Sequence, residues 1–115
     1  MKEYLLIFRG GDGREARLDP EKWAQHMELW KKWMGGLAEA GKFIGGQPLV
    51  GDGRTMHTVD NITDAPFAEG KEVVNGYLII KGKDYDEAVE LSKGCPIFEH
   101  NGIVEVREIA SMNNM

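Results

Sequence analysis

Val73-Val74-Asn75-Gly76-Tyr77-Leu78-Ile79-Ile80 is the stretch on which the fold turns. In an extended chain Val74, Leu78 and Ile80 share one face, and Val73, Tyr77 and Ile79 the other. The N-terminal run Tyr4-Leu5-Leu6-Ile7-Phe8 repeats this doubling, with Tyr4, Leu6 and Phe8 set against Leu5 and Ile7. The turn-rich Arg9-Gly10-Gly11-Asp12-Gly13 ends that run. Two strands that are apolar on both faces need cover on both faces, because a bare apolar sheet of that size would be a sticky patch. Helices of the same chain can cover one face. A second copy, sheet against sheet, is the economical cover for the other, so the pattern predicts a two-fold homodimer.

Working outward, two helices separate the strands. Asp19 is placed to cap the first, Pro20 suits its first position, and Glu21 complements the positive end of the dipole. At about 100° per residue, Trp23, Met27, Trp30, Trp33, Met34 and Leu37 fall on one arc. Gly41 stands where a left-handed C-terminal cap belongs. Asp84 with Glu87 predicts the start of the second helix, whose inward face is Tyr85, Ala88, Val89 and Ser92, and Gly94-Cys95-Pro96 closes it. Between the helices, Phe43 to Val50 and Thr55 to Val59 flank Gly51-Asp52-Gly53 and read as a hairpin. Gly45, Gly46 and Pro48 predict an edge position or a bulge in its first strand. Asn61 to Glu72 reads as loop, and Ile103 to Ile109 as the last strand. The order strand, helix, strand, strand, helix, strand predicts an α+β, ferredoxin-like fold. Its antiparallel sheet carries both helices on one face and leaves the other to a second copy. One domain over residues 1–110 and a loose tail over 111–115 complete the expectation.

Composition bounds the function. The chain has 115 residues, 14 Lys+Arg and 19 Asp+Glu, and a net charge of −5. Hydrophobic residues make up 42% and charged residues 29%, a globular balance that argues against wholesale disorder. The acidic balance argues against a phosphate-tracking nucleic-acid binder. A single cysteine, Cys95, excludes an intrachain disulfide and four-cysteine zinc or iron–sulfur sites. The N-terminal apolar run is too short for a secretory signal, and no stretch is long enough to span a membrane. These features read as a cytoplasmic protein without membrane or nucleic-acid partners.

The stretch Asp64-Ala65-Pro66-Phe67-Ala68-Glu69-Gly70-Lys71-Glu72 resembles the D-G-P-F-A-E-T-K-E signature of a branch of the YCII-related proteins. Lys2 to Phe8, the helix bearing His26, Gly76 to Ile80, Cys95-Pro96 and Ile103 to Arg107 are similar to that family as well. The resemblance implies the dimeric α/β barrel, and a histidine–aspartate pair near its pocket that would here be His26 and Asp64. It also implies, for some members, an accessory role beside sigma factors of the extracytoplasmic type. Ala65 and Gly70 depart from the signature, and a positive φ at position 65 would strain alanine.

His26 stands within the apolar arc near three tryptophans, where composition gives no reason for a histidine. An imidazole oriented by a carboxylate is the natural proton shuttle near neutral pH. The plain alternative is a half-buried histidine bonded to backbone. Asp64 either orients His26 or caps a turn. Trp30 and Phe67 could wall a pocket or simply fill the core, and Glu69 and Lys71 could meet a small-molecule substrate or form exposed ion pairs. His26, His57 and His100 with Asp64 or Glu69 could in principle ligate a metal. No pair among them has a ligand-motif spacing, so neither metal nor cofactor is expected. Cys95 reads as a small buried residue. Two functions follow: a cofactor-free acid–base enzyme acting on a small organic molecule through His26 and Asp64, or a non-catalytic ligand-binding or transcription-accessory domain.

Overall fold

The computed structural model of the chain describes residues 1–11, 18–67 and 73–111. Among the described residues, six strands and two helices follow in order: β1 (Lys2–Arg9), α1 (Pro20–Glu39), β2 (Phe43–Pro48), β3 (Thr55–Met56), β4 (Ile62–Thr63), β5 (Val74–Gly82), α2 (Tyr85–Ser92) and β6 (Ile103–Glu108). A 3-10 turn over Pro96–His100 joins α2 to β6. The main sheet has the order β2-β5-β1-β6 and is antiparallel throughout. That order, with two helices on one face, is consistent with a ferredoxin-like fold. Among the described residues no helix is long and apolar enough to cross a membrane.

Local sequence explains the helix ends. The Asp19 carboxylate accepts from the backbone N–H of Glu21 at 3.0 Å and of Lys22 at 3.3 Å. At the other end Gly41 adopts φ +70°, and the N–H groups of Gly41 and Lys42 reach the carbonyls of Ala38 and Leu37. These two bonds form a Schellman motif, which only a residue tolerant of positive φ closes without strain. In α2 Asp84 accepts from the N–H of Glu87 at 2.8 Å, while Glu87 reaches back to the N–H of Lys83 and to the Lys42 ammonium.

The alternation expected of β1 and β5 decides the core. Tyr4, Leu6 and Phe8 of β1 and Leu78 and Ile80 of β5 are buried, and Leu37 of α1 and Ala88 of α2 join them in one cluster. Both helices therefore cover the same sheet face. Leu6, Phe8, Leu37, Leu78 and Ile80 each contribute roughly 1.5–3 kcal/mol when fully buried, and Ala88 less. On the opposite face Leu5, Ile7, Tyr77 and Ile79 are half-buried in the single chain.

The middle of the chain departs from the expected hairpin. Residues Phe43–Pro48 pair with β5, not with the segment after Gly51-Asp52-Gly53. Thr55–Met56 instead pairs with Ile62–Thr63 in a separate two-stranded arm, so the segment read as pure loop carries a strand. The turn signal is real but short-range, whereas β5 offers Phe43–Pro48 a long apolar partner. The edge position and the bulge are both present: β2 is an edge strand, and its register shifts between Phe43 and Gly45. Gly46 lies so close to β5 that an added Cβ would meet the Tyr77 carbonyl oxygen and the Leu78 Cα. Smaller corrections concern helix faces: Met27, Tyr85 and Val89, read as inward, are exposed. Ala65 lacks the positive φ that would strain it, since Asn101 is the only non-glycine residue with positive φ among those described. The tail beyond Ser111 lies outside the described residues.

Candidate functional site around His26

Helix α1 carries His26 on its inward side, and the residue is buried. Trp30 sits one turn further on, and its indole Nε1–H donates to His26 Nε2 at 3.0 Å. The indole is itself held by the core, packed edge-on against Phe8 at 5.3 Å and Trp33 at 5.7 Å between ring centroids. Trp33 in turn donates to the Leu91 carbonyl oxygen at 3.0 Å, fixing α1 against the end of α2. A neutral imidazole carries one ring proton, so an Nε2 that accepts places that proton on Nδ1.

The 3-10 turn brings the groups that face Nδ1. Pro96 and Ile97 are buried and anchor the turn, and Asn101 at φ +61° closes it. Glu99 and His100 are thereby delivered to α1. Glu99 Oε2 lies 3.6 Å from His26 Nδ1, an ion-pair distance longer than a hydrogen bond. The His100 ring stands 4.5 Å from the His26 ring at 77°, and its Nε2 is buried without a hydrogen-bond partner among the described residues. The sequence offered Glu99-His100 as adjacent residues after Cys95-Pro96, and only their placement opposite His26 gives them chemical meaning.

Other expected site residues lie elsewhere. The Asp64 carboxylate is 87% exposed and pairs with Arg54 Nε at 3.2 Å, on the two-stranded arm. Among the described residues, the carboxylate that the structure brings to His26 is that of Glu99. Phe67 is exposed and neighbours His57 at 6.3 Å between centroids. Together with Leu49, Val50, Arg54 and Met56 it lines a depression of about 510 Å³. Trp30 serves His26 and the aromatic core at once. Glu69 and Lys71 fall outside the described residues.

A second, smaller cleft of about 290 Å³ opens between α1 and the 3-10 turn, lined by Leu29, Lys32, Trp33, Pro96, Phe98 and Glu99 among others. Glu99 is common to this cleft and to the surroundings of His26 and is half exposed, so it connects the buried imidazole to solvent. Cys95 borders the cleft but is buried, and desolvation pushes its thiol up to about 12. A thiol so raised is protonated at neutral pH and is no nucleophile.

A family model for the YCII-related domain matches residues 3–113. No curated protein matches the sequence. Among solved structures, the chain is similar to 5-chloro-2-hydroxyhydroquinone dehydrochlorinase from Burkholderia phenoliruptrix AC1100, in complex with 2,5-dihydroxybenzoquinone. The identity is 19%, the TM-score 0.49, and the alignment covers 97% of this chain and 99% of that one. At that score the likeness carries no weight for chemistry. The family match spans nearly the whole sequence, and the chain belongs to the YCII-related domain family.

Proposed function

We propose that this protein is an acid–base enzyme acting on a small organic molecule, with His26 as the group that moves the proton. The observation that carries this reading is a buried imidazole whose proton is directed by Trp30 onto Nδ1, facing a half-exposed carboxylate at the rim of a cleft. Burial keeps water from competing for the proton; uptake of a second proton at Nε2 requires the Trp30 indole to release that nitrogen, and Glu99 beside Nδ1 supplies the charge that stabilises the resulting imidazolium. Lys32 on the cleft wall would attract an anionic substrate. The D-G-P-F-like segment keeps Asp64 in the proposal as the alternative carboxylate, and Trp30, Phe67, Glu69 and Lys71 as candidate substrate contacts. The half-buried second face of the sheet supports a homodimer.

Turnover of a panel of small phenols, hydroxy acids and enolisable ketones, followed by NMR, tests the reading. His26→Asn should abolish whatever activity the wild type shows, and Glu99→Gln should reduce it more than Asp64→Asn. A folded His26→Asn variant with wild-type turnover overturns the proposal. A reversed order of the two carboxylate variants restores Asp64 as the partner. The second reading, a ligand-binding or sigma-factor-associated accessory domain without turnover, draws on the same Trp30 bond, because a buried histidine tied to an indole also suits a purely structural role.

A further inference from the structure

His26, Glu99 and His100 each offer one ligand atom, and the three atoms lie within 4.8 Å of one another. We propose that this triad is a binding site for a divalent transition-metal ion, with zinc the ion that its two imidazoles and one carboxylate fit best. Imidazole donors select against magnesium and calcium, and three protein ligands leave a position open for water. The 3.6 Å between His26 Nδ1 and Glu99 Oε2 is close to the roughly 3.4 Å that separates two ligands on one tetrahedral zinc. The second observation is His100 Nε2, a buried ring nitrogen without a hydrogen-bond partner among the described residues, on a ring 4.5 Å from that of His26. The half-exposed Glu99 supplies both the entry path and the side-chain freedom to close the site.

The Trp30 bond makes the inference specific. With Trp30 donating to Nε2, the ring proton of His26 sits on Nδ1, where the metal must bind. Loading therefore moves that proton to Nε2, and the protonated Nε2 then meets the indole N–H, donor against donor. The Trp30–His26 bond must break, so Trp30 opposes the metal. A metal on Nδ1 also removes His26 from proton transfer. The site thus stands independently of the acid–base reading, and occupancy would inhibit any reaction that uses His26 as a base.

The test is calorimetric titration of the chelator-stripped full chain with zinc chloride, with tryptophan fluorescence followed in parallel. One ion per chain is expected, with a fluorescence change of the same midpoint. Glu99→Gln and His100→Gln should each weaken binding roughly tenfold or more. Trp30→Phe should tighten it, and His57→Gln should leave it unchanged. Absence of binding, or binding that Glu99→Gln does not weaken, overturns the site; Glu99 is half exposed, so its variant folds even if His100→Gln does not. Weaker binding by a folded Trp30→Phe protein overturns the assignment of Nδ1. These readouts involve no substrate, so their failure leaves the acid–base reading to its own test.

Discussion

Trp30 and His26, one helical turn apart, are joined by an indole N–H donating to imidazole Nε2 at 3.0 Å. This bond fixes which nitrogen carries the ring proton and aims it at Glu99. A tryptophan that reads as core filler in an amphipathic helix thus also sets the chemical state of its neighbour.

Trp30→Phe keeps an aromatic ring against Phe8 but removes the N–H donor together with part of the ring volume packed in the core. The lost hydrogen bond and the lost ring volume together should cost about 2–3 kcal/mol in urea denaturation. Long-range ¹H–¹⁵N spectra should show His26 move from a single Nδ1–H tautomer to a mixture. An unchanged tautomer would mean that Glu99, rather than Trp30, holds the proton in place.

Cys95 should be silent toward thiol reagents in the native state. Its thiol is pushed up to about 12 by burial, leaving almost no thiolate at pH 8. Ellman's reagent should react within seconds in guanidinium chloride and over hours or not at all without it. Rapid native reaction would mean that the segment following α2 opens readily.

Acid should weaken the fold through two carboxylates. Glu87 is held below its ordinary value by its hydrogen bond from Lys42, and Glu105 by that from Arg9. A carboxyl with a lowered folded-state pKa contributes stability above its unfolded value, near 4.3, and loses it as pH falls through the folded one. Melting temperature should fall below about pH 4.5, and Lys42→Met should flatten that fall. Equal slopes for variant and wild type would refute the contribution of Glu87.

The two sheet faces should respond differently to charge. Leu6→Asp places a carboxylate in the buried cluster and should prevent folding, a cost of several kcal/mol. Ile79→Asp lies on the half-buried opposite face and should leave a folded chain whose light-scattering mass is that of a monomer. A wild type that is itself monomeric would remove the dimer from the proposal.

The ends of both helices, the alternation of β1 and β5, and the bulged edge strand were legible because each depends on neighbours a few residues away: Asp19 with Pro20, Gly41 after Ala40, Gly45 and Gly46 before Pro48. The YCII-related family was legible as well, since the stretches that resemble it lie along nearly the whole chain. The partner of Phe43–Pro48 was not, because a nearby turn signal competes with a distant strand and only the packed sheet decides between them. Nor was the carboxylate beside His26. Asp64 and Glu99 both carry a carboxylate, and both lie far from His26 in sequence. The 3-10 turn, anchored by Pro96 and Ile97, carries Glu99 to the imidazole, while the two-stranded arm gives Asp64 to Arg54. Sequence determines what each segment prefers locally; which distant side chains meet depends on the closure of the whole core, and that closure made His26, Glu99 and His100 neighbours.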